Sequence, residues 1–354
     1  MNNSQSNRFL YLDYIKTLGI CLVILYHCKF TPFNSSLIWG VYAVCVPLFF
    51  MVNGYLMLRK EYTIVNLLHK NVKLLFVMFF WAFFSTFVYA YTSGIIEEYT
   101  TNITFEKIIV GSKYLGIKSL TISKPECNHL WFLKSIFILN LLNPILYNFI
   151  KNNNRNLLYI VILLAFWSIN FFDIITCRLV NPIVDWSTSF SVLYYLLGYI
   201  IYTKFNNKLL GSRGICIFSV VIILCAILQN VYNWIFIDGF MKNLNESKGW
   251  IVDIVYDNYG AFFIVIMTSA ICALFQRINW RENRFWRFVG ENSLAIYLLQ
   301  TPIQRLIQHW LPIDSIIEIH HGFGIILPIL TLFTCMSITR LLLTNKYTKY
   351  LITI

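Results

Sequence analysis

Three ionisable residues share the first long apolar segment of the 354-residue chain, where a charge held away from water is costly. Asp13 and Lys16 are three positions apart, so a helix places them on one face, where they can pair. Lys16 and His27 are eleven positions apart, which is within ~20° of three full turns and roughly 16 Å along the axis. This stripe predicts a polar site facing the inside of a helical bundle. The alternative is that Asp13 and Lys16 reach an aqueous interface and that His27 is an ordinary interfacial histidine.

A second histidine opens a later apolar segment, which reads His129-Leu-Trp131-Phe-Leu133. The sequence predicts that His129 lies at the same outer level as His27. Imidazole titrates near neutral pH and can both accept and donate a proton, so two imidazoles at one depth suit proton transfer.

A stripe of amides marks another segment, where Gln300, Gln304 and Gln308 follow at a spacing of four, with Arg305 beside them. One helical face of amides indicates that the helix lines a polar cavity. Asn53-Gly54 interrupts the second apolar segment, as small and polar residues do where helices pack closely. No glycine-rich phosphate loop and no His or Cys pair with metal spacing occurs, so no metal site is expected.

The composition that surrounds these residues is unlike that of a soluble protein. Apolar residues make up 58% and charged residues 12% of the chain, against about 45–50% and about 25% in ordinary globular domains. The apolar residues form runs long enough to cross a ~30 Å hydrocarbon core. Soluble, disordered, disulfide-rich secreted and nucleic-acid-binding classes are therefore excluded. The sequence predicts an all-α, polytopic transmembrane helical bundle that forms a single membrane-embedded domain over residues 1–354.

The apolar runs predict about ten membrane spans. The two longer connections, 93–129 and 237–253, are expected to be partly ordered caps on the outer side, with a solvated connector as the alternative for the second. The expected spans are residues 10–29, 37–58, 72–92, 130–150, 156–173, 188–203, 214–236, 254–275, 291–310 and 323–343.

Lysines and arginines are concentrated in alternate connections, and this asymmetry orients the bundle. By the positive-inside rule, both termini are cytoplasmic and the protein is a multi-pass protein of the cell (plasma or inner) membrane. The net charge of +12 then reflects topology and contact with membrane lipids, and no nucleic-acid partner is expected. The basic set includes Arg59, Lys60, Lys151, Lys204, Arg277, Arg281, Arg284, Arg287 and Lys346; the opposite set includes Glu97, Glu98, Glu106, Glu126, Asp173, Asp185, Asp238 and Glu318.

The nine cysteines do not predict a disulfide framework, because most of them lie inside apolar runs, where Cys behaves as a small hydrophobe. Cys127 and Cys177 fall in connections that we expect on the outer side. One bridge between these two residues and two free thiols are the alternatives.

Four motifs occur in order along the chain. They read Arg8-x4-Asp13-x2-Lys16-x10-His27, Val46-Pro-Leu-Phe-Phe-Met-Val-Asn53-Gly54-Tyr-Leu, His129-Leu-Trp131-Phe-Leu133 and Gly290-x2-Ser-Leu-x-Ile-Tyr-Leu-Leu-Gln300-x-Pro302. Together they resemble the acyltransferase-3 family of membrane acyltransferases in its stand-alone form, without an appended soluble domain. The family usually has Ser-Gly where this chain has Asn53-Gly54, and often has histidine at the position of Gln300.

The resemblance implies a membrane O-acyltransferase that transfers an acetyl group from cytoplasmic acetyl-CoA to a hydroxyl of a cell-surface or lipid-linked glycan. With that donor, we expect Lys16, with Arg8, to bind a CoA phosphate and Asp13 to orient Lys16. In this interpretation His27 is the general base or briefly carries the acetyl group.

The chemistry of the other polar residues suits them to the acceptor. His129 and Trp131 would help position the sugar, and Gln300 would donate to the developing oxyanion. Asn53 and Arg305 would complete the substrate-binding set.

A membrane transporter or flippase that exports a glycan or a small organic acid is the alternative function, with the polar stripe as its pathway. The chain shows neither a strong internal repeat nor a pair of broken helices, which that alternative would favour.

Overall fold

The computed structural model describes residues 9–28, 40–94, 128–152, 159, 162, 186–204, 211–233, 262–311 and 324–353. Within these residues every regular element is helical and no strand occurs, which confirms the all-α prediction. A 3-10 turn, Asn128–Leu130, precedes α4. The helices are α1 Leu10–His27, α2 Cys45–Leu58, α3 Ile64–Thr92, α4 Trp131–Lys151, α5 Trp186–Lys204, α6 Gly211–Asn233, α7 Phe262–Arg277, α8 Arg284–Glu291, α9 Ser293–Trp310, α10 Ile326–Leu342 and α11 Lys346–Tyr350.

Five of the described segments are long and apolar enough to cross a membrane. They are Leu10–His27, Gly40–Leu58, Ile64–Thr92, Trp131–Lys151 and Arg213–Val231. Three shorter apolar helices overlap predicted spans: Phe190–Thr203, Phe262–Arg277 and Ile326–Leu342. Ten spans and cytoplasmic termini stay predictions.

Exposed phenylalanines along α3 indicate which surface of the protein faces lipid. Phe76, Phe79, Phe83 and Phe87 recur every three or four residues, and each is about half exposed, between 51% and 55%. A row of large apolar side chains on one helical face is unfavourable in water and is expected against hydrocarbon chains. The chain is therefore a membrane protein by its surface as well as by its composition.

The third helix begins earlier than the sequence predicts. A span over 72–92 was expected, whereas α3 runs from Ile64 to Thr92. The reason is a cap: the Thr63 hydroxyl accepts a hydrogen bond of 3.3 Å from the Asn66 backbone N–H. The capped segment 64–71, which carries His69 and Lys70, therefore extends the helix beyond the predicted span.

The short helix α8, Arg284–Glu291, was not predicted, because its length and its arginines resemble a connection between two spans. Its first turn is capped by the Asn283 side chain, which accepts a hydrogen bond of 2.9 Å from the Phe285 backbone N–H. The predicted fifth span, 156–173, lies outside the described residues except at 159 and 162, and the connection 237–253 lies wholly outside them. Of the connection 93–129, only 93, 94, 128 and 129 are described.

The described residues form two compact units. The first contains α1 as far as Leu22, α2, α4 from Leu142, and α5 to α8. The second contains Val23–His27 of α1, α3, α4 as far as Leu141, and α9 to α11. The prediction of a single domain over 1–354 stays a prediction.

In the first unit, α2 and α5 cross at two glycines. A Cβ at Gly54 would overlap the backbone carbonyl of Tyr195, and a Cβ at Gly198 would overlap that of Met51. Small residues let two helix backbones approach this closely, and close approach is what packs helices together inside a membrane. The sequence-based interpretation of Asn53-Gly54 as a helix contact is confirmed at Gly54.

In the second unit, α9 packs against α3 and α10 and is largely buried. Its 18 residues are long enough to cross a membrane, but its polar side chains make it less apolar than the five segments named above. A helix that is surrounded by protein can carry amides that a lipid-facing helix cannot. Burial therefore explains how the polar stripe of α9 is tolerated.

Candidate functional site

The predicted ion pair between Asp13 and Lys16 forms in the first unit. The Lys16 Nζ lies 3.1 Å from the Asp13 Oδ1, and the Asp13 side chain is only 8% exposed. The Thr17 hydroxyl lies 2.8 Å from the Asp13 backbone carbonyl and 3.0 Å from that of Trp286, and can donate to either. A buried carboxylate thus holds an ammonium group that is itself 22% exposed and can still meet a ligand.

An aromatic stack fixes this turn of α1. The Tyr14 ring stacks on Trp280 at 4.1 Å and on Trp286 at 5.4 Å between ring centroids. The Tyr14 hydroxyl donates a hydrogen bond of 2.9 Å to the backbone carbonyl of Arg281. Stacked aromatic pairs and a satisfied hydroxyl stabilise the position of a helix, so the Asp13–Lys16 pair sits on an ordered turn.

In the second unit, α9 holds the residue that ends α1. The Gln304 side-chain amide donates a hydrogen bond of 2.9 Å to the His27 backbone carbonyl. That carbonyl belongs to the last turn of α1, where carbonyls lack a partner within the helix. This hydrogen bond uses the backbone of His27 and does not involve its imidazole. The residue is only partly buried. Gln304 therefore positions His27 through its backbone.

The same helix also holds the second histidine. The Tyr297 hydroxyl donates a hydrogen bond to the backbone carbonyl of His129. The Tyr297 ring lies 6.3 Å from the His129 ring and 5.4 Å from the Phe132 ring, measured between centroids. His129 is buried, with 4% of its surface exposed. Both histidines are thus held by side chains of α9, through donors seven residues apart, about 10 Å along the axis.

Gln300 lies on the same face of α9, between these two anchors. It is 1% exposed, and neither the oxygen nor the nitrogen of its amide has a hydrogen-bond partner among the described residues. A buried amide without partners costs about 1–3 kcal/mol for each unsatisfied group. Such a cost is expected where a side chain is kept ready for a ligand.

This arrangement has a definite chemical capability. An imidazole at His27 can accept a proton, and an amide N–H at Gln300 can donate to an oxygen that develops negative charge. The neighbouring anchors, Gln304 and Tyr297, are committed to backbone carbonyls and hold the histidine-bearing segments in place. The prediction that the two imidazoles meet at one depth stays a prediction.

The remaining predicted site residues are distributed as follows. Trp131 begins α4 and is partly buried, with its ring 6.5 Å from that of Phe132. Asn53 lies in α2 of the first unit, and its Nδ2 is buried without a hydrogen-bond partner among the described residues. Arg305 is partly buried on α9, with its guanidinium 4.4 Å from the centroid of the Tyr89 ring. Arg8, Cys127 and Cys177 lie outside the described residues.

Sequence reasoning missed the anchoring roles of Tyr297 and Gln304. It assigned the amide stripe to a cavity lining and gave Tyr297 no role. A signal was present, because residues 297, 300 and 304 are spaced by three and four and so share one helical face. The sequence alone does not say which backbone carbonyls that face will meet.

A comparison with protein families decides the class of this chain. The family model described as an acyltransferase domain, that of the acyltransferase-3 family, matches residues 9–342, nearly the whole chain. The chain belongs to the acyltransferase-3 family. No protein of curated function and no solved structure matches the chain.

Membership of this family shows that the protein is a membrane acyltransferase. It confirms both the resemblance and the prediction of an enzyme. An acyltransferase must bring an acyl carbonyl to a nucleophile, take a proton from that nucleophile and stabilise the charge on the carbonyl oxygen. The face of α9 and the end of α1 hold residues with the chemistry for the last two tasks.

Removing the Tyr297 hydroxyl tests whether the anchor of His129 matters to the acyltransferase. In Tyr297→Phe the ring keeps its contact with Phe132, and the His129 carbonyl loses its donor. We expect the free energy of unfolding to fall by about 1 kcal/mol. A displacement of His129 that raises the activation barrier by a similar energy would lower kcat about five- to tenfold. Melting curves and initial rates of the purified protein measure both.

Tyr195→Phe is the matched control for that variant. The Tyr195 hydroxyl donates a hydrogen bond of 2.7 Å to the Asn143 Oδ1 in the first unit. Its removal should cost a similar amount of stability and leave the rate unchanged. Equal rates in the two variants would show that the hydrogen bond to His129 has no part in the reaction.

Proposed function

We propose that this acyltransferase moves an acetyl group from acetyl-CoA to a hydroxyl of a cell-surface or lipid-linked glycan in the cell membrane. Family membership supplies the reaction class. The single observation that carries the assignment of the site is Gln300, a buried amide with both polar atoms unsatisfied among the described residues, between the anchors of two histidines.

His27 acts as the general base in this proposal. The acceptor oxygen attacks the thioester carbonyl carbon, and its proton passes to the imidazole of His27. The C–S bond then breaks, the acyl group stays on the acceptor oxygen as an ester, and the departing CoA thiolate takes the proton from His27. The products are an O-acylated glycan and CoA, so atoms and charge balance.

Gln300 stabilises the tetrahedral intermediate of this reaction. Its N–H donates to the carbonyl oxygen, which carries increasing negative charge as the acceptor attacks. Because this amide has no hydrogen-bond partner among the described residues, it can make this bond without first breaking another there. The sugar contacts His129, in the turn before α4, and Trp131, the first residue of α4. The flat apolar face of an indole suits a pyranose ring.

The Asp13–Lys16 pair of the first unit binds the donor. The Lys16 ammonium is partly exposed and can contact a phosphate, while the buried Asp13 carboxylate fixes its direction. We extend this role to Arg8 from its place in the first motif, and to Asn53 as part of the substrate-binding set.

A transfer assay tests the proposal. Purified protein in liposomes receives radiolabelled acetyl-CoA and a glycan extract from the cell envelope, and we expect label in the glycan that depends on donor and protein. An unlabelled glycan, or glycan accumulation inside the vesicles without any donor, would contradict the proposal, and the second result would favour transport.

Replacing Gln300 with methionine should separate stability from activity. The variant removes, at similar volume, a buried amide that is unsatisfied among the described residues, so the melting temperature should stay the same or rise. The loss of one donor to the oxyanion should lower kcat by about 10²- to 10³-fold. Thermal melting and the transfer assay measure the two effects on one preparation.

Gln229→Met provides the comparison, because Gln229 is another buried glutamine, at 2% exposure, on α6 of the first unit. That variant should keep its transfer rate. A Gln300→Met protein that melts at a lower temperature and retains full activity would mean that the amide is structural.

A further inference from the structure

The helix α9 has a second polar face next to the amide stripe. Arg305 follows Thr301 by four residues, so the two lie one turn apart on the same face. Helical side chains point back toward the preceding turn, which directs Arg305 toward Thr301. The guanidinium lies over the Tyr89 ring of α3, 4.4 Å from its centroid.

Among the described residues, Arg305 has no carboxylate within ion-pair distance and no hydrogen-bond acceptor. The Tyr89 ring attracts the positive charge, but it offers no lone pair to the five N–H donors of a guanidinium. The Thr301 hydroxyl is buried and also lacks a hydrogen-bond partner within the described part of the chain. Two neighbouring polar groups on one face therefore lack hydrogen-bond partners in the part of the chain that the structure describes.

A guanidinium in this state matches one kind of ligand. Its planar fork binds the two oxygens of a carboxylate or a phosphate side by side, and a ring against its face leaves those in-plane donors available. A hydroxyl one turn away adds a further donor. Ionisable residues kept inside a membrane protein usually mark a substrate site, because holding them there is costly.

The position of this pair relates it to the reaction. Arg305 directly follows Gln304, whose amide holds the His27 carbonyl. An anion on Arg305 would therefore lie beside the segment that carries the general base, within the same unit.

We propose that Arg305 and Thr301 bind an anionic group of the acceptor, a carboxylate or a phosphate diester, while a hydroxyl of the same acceptor is acylated at His27. The inference rests on the proposed function and narrows its substrate class. The acceptor is an acidic or phosphate-linked glycan, and neutral glycans are poorer substrates.

Three dodecyl amphiphiles test this inference with matched chemistry. Dodecyl glucoside is neutral, dodecyl glucuronide carries a carboxylate, and dodecyl glucosyl phosphate carries a phosphate diester. Binding is measured as the rise in melting temperature of the purified protein with each amphiphile, because a ligand that binds the folded state stabilises it. We expect one charged amphiphile to bind at least tenfold more tightly than the neutral one, and its identity distinguishes the two sources of the anion.

Variants connect that preference to the site. Arg305→Gln should lose the preference and keep neutral-amphiphile binding, and Arg305→Lys should retain part of it. Arg340→Gln, at an exposed arginine on α10, should bind all three amphiphiles as the wild type does. Equal binding of charged and neutral amphiphiles by the wild type, or a preference that survives in Arg305→Gln, would overturn the inference.

Transfer of label from acetyl-CoA to the amphiphiles keeps this test separate from that of the proposed function. Charged amphiphiles that bind through Arg305 without being acylated would support the anion site and contradict the assigned reaction. Efficient acylation of the neutral amphiphile alone would support the reaction and overturn the anion site.

Discussion

Replacing His27 with alanine should lower acyl transfer by about 10²- to 10⁴-fold, which is the usual contribution of a general base. The variant should still insert and fold, because Gln304 donates to the backbone carbonyl of residue 27, which the substitution leaves in place. Initial rates of CoA release with acetyl-CoA and glycan extract measure the loss. The elution profile of the protein in detergent shows whether it is folded.

His69→Ala is the control for this variant, because His69 is an exposed histidine on α3. It should show wild-type rates and wild-type stability. A folded His27→Ala protein that transfers acyl groups at the wild-type rate would remove His27 from the mechanism. A loss of activity in both variants would mean that the defect of His27→Ala is not specific to the proposed site.

Gly54→Ala should strongly destabilise the fold. The new Cβ would overlap the backbone carbonyl of Tyr195, and a backbone cannot move aside as a side chain can. The α2–α5 crossing would have to open, at a cost at or above the usual 1–3 kcal/mol of overpacking. The folded fraction after extraction and the melting temperature measure this cost.

Gly40→Ala makes the same change in the same apolar segment, in a more permissive place. Its Cβ would meet side-chain atoms of Gln229 and Asn230 at 3.0 Å or more, and these can shift. We expect a loss well below that of Gly54→Ala. Similar melting temperatures for Gly54→Ala and the wild type would mean that α2 and α5 do not pack as closely as described.

The positions of most helices were predictable because long apolar runs leave little choice of structure in a membrane. The expected span 130–150 corresponds to α4, Trp131–Lys151, and the expected span 323–343 to α10, Ile326–Leu342. The sequence-based predictions are wrong where a polar capping residue sets the start of a helix. The cap at Thr63 lengthens α3, and a short helix after Asn283 was not expected.

The site was partly predictable, for a related physical reason. Spacing along one helix fixes which residues share a face, so the Asp13–Lys16 pair and the stripe of Gln300 and Gln304 were accessible from the sequence. Spacing carries no information about the partner that a face meets. The hydrogen bonds from Gln304 to His27 and from Tyr297 to His129 join residues 277 and 168 positions apart, and only the folded chain brings them together.

A cryo-electron microscopy structure with a non-transferable ketone analogue of acetyl-CoA tests the central claim most directly. We predict that the carbonyl oxygen of the analogue lies within hydrogen-bonding distance of the Gln300 amide and that its carbonyl carbon lies close to the His27 imidazole. A bound analogue whose carbonyl lies away from α9 and from His27 would contradict the assignment of this face as the site of acyl transfer.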